Sequence, residues 1–398
     1  MKIMVIVSRV PYPLEKGDKL RAYHQIKHLS KKHDVILVAL NDKKLHPLAK
    51  QKLNEICSSV HIFPIPFFSV IINVLLAFFK GKPLQVGYFF NSRIKNEINK
   101  IVENFKPDHI YCQLIRTAEY AKDFEIPKTL DYQDALSKGV ERRIHNAGFF
   151  KKMVFQSETT RLMKYEKEIF NFFDNKTIIS EQDKNLIPHE DYKKITVVPN
   201  GVDTDFFKPF ETEKKYDLIF SGNMQYPPNV DGAEFLVKKV LPLLLRKKPD
   251  FKLVLAGASP SPSVLSLASD NVIVTGWVED IRPYYAESKI FIAPMQLGVG
   301  LQNKLLEAMA MQLPCITSEL ANNALKASPG KEILIGHSPE EYAKHIFTLL
   351  DSPKIASELA LNGFSFVHNN YNWDSNNLIL ETIITNISNF KNRVRDFC

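Results

Sequence analysis

Short apolar runs alternate with amphipathic or polar stretches along the whole chain, and this alternation predicts repeated strand–helix–strand units. The first unit has an apolar strand at residues 2–8, a helix at about 20–32 and a second strand at 34–40. A glycine-bearing loop, residues 9–19, joins the first strand to the helix. Because such units favour right-handed crossovers between parallel strands, we expect a parallel α/β sheet.

The same pattern continues to the C-terminal part of the chain and predicts two sheets. Further strands are expected at residues 60–65, 109–115, 128–132 and 176–179, then at 217–222, 251–257, 271–276, 289–294 and 315–318. We expect the strand at 176–179 to close the first sheet and a second series to begin near residue 195. The predicted domains are residues 1–195, joined by a final helix at 371–398, and residues 196–370. Two doubly wound domains imply a cleft, with ligands outside the carboxyl ends of the strands.

Composition agrees with a globular protein of more than one domain. The chain has 398 residues, of which 45% are hydrophobic and 24% charged; this is too long for a single core. Residues 1–200 hold 33 Lys and Arg against 22 Asp and Glu, whereas residues 201–398 hold 19 against 22. A basic N-terminal half suits anionic lipid headgroups or phosphorylated acceptors. Without zinc-finger spacing or an aromatic RNA-binding signature, nucleic acid is not an expected partner.

The four cysteines and the N-terminus indicate the compartment. Cys57, Cys112, Cys315 and Cys398 are scattered singly without metal or redox spacing, which favours a reducing compartment. The N-terminal apolar stretch is short and is followed at once by Arg, Pro and Lys, so it predicts a strand and not a signal peptide. We therefore expect a cytoplasmic protein.

The longest apolar run, residues 67–79, leaves two interpretations open. Its sequence is FFSVIINVLLAFF, and it is too short to span a bilayer, which takes about 20 residues. We favour a buried helix. The alternative is a helix that lies on a membrane or forms a hydrophobic acceptor groove.

Residues 294–318 carry the pattern with the most chemical content. Gly298 and Gly300 form a loop that leads into a helix from Asn303 to Met311. A glycine loop at a helix N-terminus favours anions, because unpaired N–H groups and the helix dipole both attract negative charge. Lys304 and Glu307 lie three residues apart and share one helix face. They suit a nucleotide diphosphate and its ribose, although an ordinary amphipathic helix with a solvated Lys/Glu pair has the same spacing.

Four motifs together indicate a family. In order and spacing, they resemble motifs of the GT-B retaining glycosyltransferases of family 4. The motifs are VVPNGVDTDFF, IFSGNMQYPPN, VTGWVEDIRPYYAESKIFIAP and GVGLQNKLLEAMAMQLP, and the opening PYPLEKGDKLRAYH also resembles this family. The similarity is greatest to sugar transferases of exopolysaccharide and surface-polysaccharide gene clusters. It implies two Rossmann-like domains: an N-terminal domain that binds the acceptor and a C-terminal domain that binds a nucleotide-sugar.

The resemblance implies a donor site around the helix that begins at Asn303. Glu307 matches the second acid of the family's E-x7-E motif, which binds ribose hydroxyls, and the position of the first acid holds Val299. The chain is similar to a subset that uses a glycine-rich loop and a lysine, so Lys304 with the amides of Gly300 and Leu301 becomes the expected diphosphate site.

Further donor contacts follow from the same resemblance. They are Gly17 in the first loop, where the backbone passes close to the donor phosphate and the acceptor, Gly222 after the first strand of the second domain, and the base-reading loop Gly276, Trp277 and Val278. The family often has Arg and Lys shortly after the glycine that Gly222 matches, whereas this chain has Asn223 and Asn229.

On the acceptor side, the resemblance implies a residue near the end of the strand at 128–132 that lies close to the reaction centre. Asp134 is the first candidate to take the acceptor proton and Asp131 the second, with helix capping as the alternative for each. Arg21 and His24 follow the first loop and are candidate acceptor-side contacts, but we expect them at the surface. Asp203 and Asp205 spell D-x-D, but they follow a Pro-Asn-Gly turn, so we expect capping there and not a metal site.

The predicted function is transfer of a sugar from a UDP-, GDP- or similar nucleotide-sugar to a glycan or polyprenyl-linked acceptor in surface polysaccharide synthesis. The resemblance implies a hexosyltransferase that retains configuration and needs no metal or other cofactor. Contact with the cytoplasmic face of the inner membrane is part of this hypothesis. The alternative is a catalytically silent module that binds nucleotide-sugars.

Overall fold

The computed structural model describes residues 1–14, 16–144, 148–297 and 300–395, and the side chains up to residue 386 within these ranges. The chain divides into two units. The first contains residues 1–199 and the chain from Asp374 onward, and the second contains Asn200–Trp373. The boundaries expected from the sequence, 195/196 and 370/371, lie a few residues earlier. Each unit is described by itself below.

The first unit is built on a parallel sheet of seven strands in the order β3-β2-β1-β4-β5-β6-β7. The strands are β1 (Lys2–Val7), β2 (Asp34–Asn41), β3 (Ser59–Pro64), β4 (His109–Gln113), β5 (Lys128–Asp131), β6 (Asn175–Ile178) and β7 (Thr196–Val197). Its helices are α1 (Gly17–Leu29), α2 (Ala49–Asn54), α3 (Phe67–Phe79), α4 (Leu84–Phe89), α5 (Ser92–Phe105), α6 (Leu136–Glu141), α7 (Phe149–Ile169) and α8 (Glu181–Lys184). Short 3-10 turns occupy Ile115–Tyr120, Arg142–Ile144, Phe170–Phe172 and Tyr192–Lys194.

The second unit repeats this plan with six parallel strands in the order β10-β9-β8-β11-β12-β13. They are β8 (Tyr216–Ser221), β9 (Leu253–Ala256), β10 (Val272–Gly276), β11 (Ser288–Ala293), β12 (Cys315–Thr317) and β13 (Leu334–Ile335). The helices are α9 (Pro227–Phe235), α10 (Leu241–Leu245), α11 (Pro262–Leu265), α12 (Arg282–Ala286), α13 (Asn303–Ala310), α14 (Glu319–Leu325), α15 (Pro339–Asp351) and α16 (Pro353–Asn370). A π-helical stretch, Leu236–Val240, joins α9 to α10, and α17 (Trp373–Arg395) returns the chain to the first unit.

Strand β1 shows how the central strands organise the core. Met4 and Ile6 pack into one hydrophobic cluster of the first unit, whereas Ile3, Val5 and Val7 pack into the cluster on the opposite face. All five side chains are fully buried. Because side chains alternate across a strand, a run buried on both faces must be apolar at every position. The uninterrupted run in the sequence is therefore typical of a central parallel strand.

Two strand expectations need correction. The stretch near residue 195 was expected to open the second series, but β7 pairs with β6 and is the last strand of the first sheet. Strand β13 was not expected; it is two residues long and pairs with β12. Strands of this length carry too few residues for a pattern to distinguish them from loop.

Two burial expectations were also wrong. Residues 67–79 do form a helix, α3, but among its side chains only that of Ala77 is buried, and Phe68 and Phe79 are 79% and 81% exposed. Conversely, Arg21 and His24 were expected at the surface and are buried in α1. Arg21 is fully buried because a carboxylate from a distant strand meets it, as described below.

Candidate functional site

Gly222 follows β8 at the carboxyl end of the second sheet and sets the shape of the candidate donor site. Its φ of +150° suits glycine, and a Cβ there would lie 2.6 Å from Asn229 Nδ2 and 3.1 Å from Lys304 Nζ. A side chain at this position would therefore displace the ammonium group. The absence of a Cβ brings the β8 backbone, α9 and α13 close together.

Lys304 lies on the first turn of α13 and points its ammonium group at this glycine. Its Nζ donates a hydrogen bond to Asn229 Oδ1, contacts Met295 Sδ at 3.9 Å and lies 4.6 Å from the centre of the Phe220 ring. Burial lowers the pKa of Lys304 to about 7, against the opposing charge of Glu307. Within the part of the chain that the structure describes, no carboxylate forms a salt bridge with Lys304. A bound anion would supply that missing countercharge.

Asn229 is held in place by a second hydrogen bond. Its Nδ2 donates to the backbone oxygen of Asn223 at 2.9 Å, which leaves Oδ1 to face Lys304. The side chain is buried in α9. A neutral amide therefore orients the ammonium group without neutralising it.

Glu307 lies one turn after Lys304 and belongs to a chain of hydrogen bonds. Its Oε2 accepts from the Tyr285 hydroxyl at 2.9 Å, and that hydroxyl lies 2.7 Å from Ser221 Oγ. Burial raises the pKa of Glu307, while the Tyr285 hydrogen bond and the charge of Lys304 act in the opposite direction. Glu307 is only half-buried, so its other oxygen can accept from a ligand hydroxyl.

The loop after β10 carries the expected base-reading residues. Gly276 has a φ of +69°, Trp277 is 62% exposed and Val278 is half-buried. The loop reaches the Gly222 region through Gly257, whose amide donates to Thr275 Oγ1 at 3.3 Å. A Cβ on Gly257 would lie 1.9 Å from the backbone oxygen of Gly222. The exposed indole of Trp277 offers an aromatic face to solvent.

Gly300 and Leu301 lead into α13. Gly300 has a φ of +93°, and its backbone oxygen accepts from Gln302 Nε2 at 3.2 Å. No side chain caps the helix at Gln302, so the first amides of α13 are available to a ligand. Gly298 and Val299 lie outside the described residues. The sequence analysis had placed Gly298 in the loop and Val299 at the position of the family's sugar-contacting acid.

In the first unit, Asp134 lies shortly after the end of β5, and its side chain is exposed. Its amide donates to the Tyr132 backbone oxygen at 2.9 Å. Loss of hydration within the surrounding protein, and then the negative charge of Asp183, raise the pKa of Asp134 to about 7, and Arg116 opposes the rise. A carboxyl group whose pKa is raised toward neutrality is a candidate general base.

Asp131, the second predicted catalytic residue, lies in a different environment. Both of its oxygens accept hydrogen bonds from Arg21, at 2.6 and 3.0 Å, and Oδ1 also accepts from Thr177 at 2.9 Å. Asp131 and Arg21 are fully buried. With its acceptor positions turned to buried donors, Asp131 fits a structural role better than contact with substrate.

The remaining predicted positions are Gly17 in the first loop and the D-x-D sequence at residues 203–205. Gly17 is exposed and begins α1, next to an ion pair of 2.7 Å between Arg9 and Asp18. Asp203 Oδ1 accepts from the Phe206 amide at 3.0 Å, which confirms the expected turn role. Among the residues that the structure describes, no group of three or more His, Cys, Asp or Glu side chains could hold a metal ion.

Comparison with known families identifies the second unit. Residues 215–352 match the model of the family "Glycosyl transferases group 1", and this range contains Gly222, Lys304 and Glu307. The second unit therefore contains a glycosyl transferase group 1 domain, and the chain is a glycosyltransferase.

Further comparisons cover nearly the whole length of this glycosyltransferase. It is 27% identical over 394 residues to an uncharacterized 44.6 kDa protein in the cps region of Klebsiella pneumoniae, in an alignment that covers 93% of this chain and 96% of the relative. Sucrose-phosphate synthase from Thermosynechococcus elongatus aligns with a TM-score of 0.70 at 15% identity, over 97% of this chain and 99% of that one. HepE from Anabaena, in complex with UDP, has a TM-score of 0.70 at 13% identity, over 97% and 100%. The solved structures show that the glycosyltransferase has the GT-B fold, as expected from the sequence.

The structure of the glycosyltransferase brings Gly222, Lys304 and Glu307 together, and adds three side chains that sequence reasoning did not place there. Asn229 was noted only as a departure from the family pattern, and it proves to hold Lys304. Ser221 and Tyr285 were missed. Ser221 could have been predicted, because it directly precedes Gly222. Tyr285 lies 22 residues before Glu307, and nothing in that spacing indicated the contact between Tyr285 and Glu307.

Proposed function

We propose that this glycosyltransferase transfers a sugar from a nucleotide-sugar to a glycan or lipid-linked acceptor in surface polysaccharide synthesis. The observation that carries the proposal is the Lys304 ammonium group, which lies against Gly222 with a neutral amide and no carboxylate as hydrogen-bonding partner among the described residues. Such a cation is suited to a diphosphate leaving group. The polysaccharide context is supported by the cps-region relative from Klebsiella pneumoniae.

Donor binding is assigned to the second unit. Lys304 and the first amides of α13 bind the diphosphate, Glu307 accepts from the ribose hydroxyls, and Trp277 stacks on the base. Gly222 admits the donor close to the backbone, and Gly276, Val278, Gly300 and Leu301 contribute backbone contacts. UDP-sugars are favoured among donors because HepE, which shares the fold, is described in complexes with UDP and UDP-glucose.

Acceptor binding is assigned to the first unit, where Gly17 and Asp134 lie at the carboxyl end of the sheet. In the reaction, the acceptor oxygen forms a bond to the anomeric carbon while the bond from that carbon to the diphosphate breaks. The acceptor proton passes to Asp134, which acts as the general base. We further propose that configuration is retained and that Lys304 and helix amides, in place of a metal ion, stabilise the leaving group.

The test is a turnover assay with the purified chain, a panel of UDP- and GDP-sugars, and cell-envelope extracts as acceptor source. We expect nucleotide release with one donor, and loss of at least about 100-fold in Asp134→Asn, the scale of a general base. Asp123→Asn, a change at an exposed ion pair with Lys95, is the matched control and should keep full activity.

Two outcomes would contradict the proposal. If no donor of the panel yields released nucleotide, the chain is not the proposed transferase. If calorimetry then shows nucleotide-sugar binding, the chain is a binding module without transfer.

A further inference from the structure

Helix α3 of the first unit presents an apolar face to solvent. We call this the α3 face. Its residues are large, and each is exposed by 45% or more: Phe67, Phe68, Ile71, Ile72, Leu75, Leu76, Phe78 and Phe79. They recur in pairs every three to four positions, so they share one side of the helix over its whole length. An apolar surface of this extent marks a site of interaction with a protein or a membrane.

The opposite side of α3 fixes the orientation of this face. Val70 packs against the hydrophobic core, Ala77 is buried, and Asn73 Nδ2 donates to the Phe90 backbone oxygen at 2.6 Å. A Cβ on Gly87 of α4 would lie 2.5 Å from the Ala77 Cβ, so the two helices are in close contact. The α3 face is therefore held outward by a packed inner side.

Helix α3 carries no charged residue, and the carboxylates that bind the segment after it, Glu119 at Lys82 and Glu158 at the Leu84 and Gln85 amides, are buried. No Asp or Glu occurs between Glu55 and Glu97. Lys80, directly after the helix, is exposed, and the Arg161 guanidinium lies 4.3 Å from the centre of the Phe78 ring. An uncharged apolar helix next to cations complements an anionic surface with an apolar interior.

The start of α7 repeats this chemistry. Phe149, Phe150, Met153 and Val154 are all more than half exposed, and the intervening Lys151 and Lys152 are exposed as well. The sequence between Glu141 and Glu158 contains no acidic residue. The α3 face and the start of α7 thus both expose aromatic and aliphatic side chains next to exposed lysines.

We propose that the α3 face is a docking surface for a lipid bilayer that contains anionic lipids, with the start of α7 as a second point of contact. The residues that dominate binding at protein interfaces are enriched in tryptophan, tyrosine and arginine, and α3 contains none of these. Among the described residues, no helix is long and apolar enough to cross a membrane. Helix α3, with 13 residues, instead lies in the plane of the interface, its apolar side in the acyl boundary.

This docking brings the first unit to the surface at which a lipid-linked acceptor presents its head group. The proposal does not depend on the donor site, because lipid binding is measured without nucleotide or acceptor. The identity of the acceptor as lipid-linked does rest on the proposed function.

The experiment is flotation of the full chain with vesicles of phosphatidylcholine alone or of phosphatidylcholine with phosphatidylglycerol. We expect the wild-type chain to float with the anionic vesicles. The α3 variant carries Phe68→Gln, Ile72→Gln and Phe79→Gln, which change only exposed positions, and should lose at least about tenfold in bound fraction. The control carries Leu265→Gln, Ile355→Gln and Leu361→Gln, three apolar residues of the second unit exposed by 46 to 52%, and should float like the wild type.

A lysine variant separates the electrostatic contribution. Lys151→Gln with Lys152→Gln should weaken binding to anionic vesicles by about fivefold for each charge removed. The weakening should disappear at 1 M salt, at which the Debye length is about 3 Å. A thermal shift on addition of UDP should be the same in all variants, which shows that they are folded and separates this test from that of the donor site.

Three results would overturn the docking surface: a wild-type chain that floats with neither vesicle, an α3 variant that floats as well as the wild type, or a lysine variant with unchanged affinity for anionic vesicles at low salt. Sedimentation in lipid-free buffer adds a specific alternative. If the wild type is dimeric, the α3 variant monomeric and neither floats, the face joins two copies of the chain.

Discussion

Arg21 and Asp131, 110 positions apart in the chain, form a fully buried ion pair in which both carboxylate oxygens accept from the guanidinium group. The remaining NH1 donor of Arg21 reaches the Val198 backbone oxygen at 2.8 Å. The pair joins α1, β5 and the segment after β7. Both oxygens of this carboxylate thus accept hydrogen bonds from groups of the fold.

Replacing Asp131 should therefore affect stability more than chemistry. Asp131→Asn leaves Arg21 charged and buried without its counterion, and breaking a buried pair costs about 3–5 kcal/mol. We expect that loss in the free energy of unfolding, measured by urea denaturation followed by circular dichroism. The remaining folded protein should keep its turnover number. Glu141→Gln, at the partly exposed pair with Lys138, should change neither quantity. A fully stable but inactive Asp131→Asn would make Asp131 a catalytic candidate again.

Binding of UDP should depend on pH through Lys304. Because the pKa of Lys304 is lowered to about 7 in the free protein, the ammonium form predominates below that value and the neutral amine above it. A diphosphate binds the ammonium form, so affinity should fall as pH rises from 7 to 9, by up to about tenfold per unit. Calorimetric titrations with UDP at several pH values measure this directly.

The matched variant for this prediction is Lys304→Arg, since arginine stays charged at every pH in the range. Its UDP affinity should be flat between pH 7 and 9. Lys304→Ala should weaken UDP binding by about 10- to 100-fold, the value of a charge-assisted hydrogen bond, and leave uridine binding unchanged. Equal weakening of UDP and uridine would mean that Lys304 does not contact the diphosphate.

Gly222→Ala should disable donor binding by crowding. The added methyl group would lie 2.6 Å from Asn229 Nδ2 and 3.1 Å from Lys304 Nζ, closer than packed atoms tolerate. We expect the UDP-dependent thermal shift to disappear. Gly139→Ala serves as the control, because a Cβ there meets no atom within 4 Å. An unchanged thermal shift in Gly222→Ala would show that the donor does not bind next to Gly222 at the carboxyl end of β8.

Trp277 should report the nucleotide base. The chain has two tryptophans; Trp277 is 62% exposed, whereas Trp373 is buried, so a fluorescence change on UDP addition should arise from Trp277. Trp277→Ala should remove the signal and weaken binding by about tenfold, within the range for a stacked base. Trp373→Phe should retain the signal. A UDP-induced change that survives Trp277→Ala would place the base elsewhere.

The sheets could be predicted from the sequence because buried parallel strands are apolar at every position. Strands β1 and β2 begin at Lys2 and Asp34, as expected, and end within one residue of the predicted bounds. The exposure of α3 could not be predicted in this way. A helix that is apolar all round gives the same pattern whether it is covered by protein or not, and only the packing of α4 on one side shows that the other side is open.

The site was predictable where residues are close in sequence. Lys304 and Glu307 share one helix, and their common face follows from their spacing. The buried state of Arg21 depends on Asp131, and the position of Lys304 depends on Asn229, 75 residues away. Such contacts form only when the sheet assembles. From the sequence, Asn229 could be described only as a position where the family often has a cation, whereas in the structure its amide oxygen accepts a hydrogen bond from the cation Lys304.

The contact between Gly257 and Gly222 limits how this donor region can diverge. Because a Cβ on Gly257 would lie only 1.9 Å from the Gly222 oxygen, Gly257 tolerates no side chain unless the Gly222 backbone moves, and a Cβ on Gly222 would lie 2.6 Å from Asn229 Nδ2. A mutational scan would find both positions intolerant although neither carries a functional group. Substitutions that tune donor choice are therefore expected to accumulate at Asn223, Asn229 and Trp277, while this pair of glycines stays invariant around them.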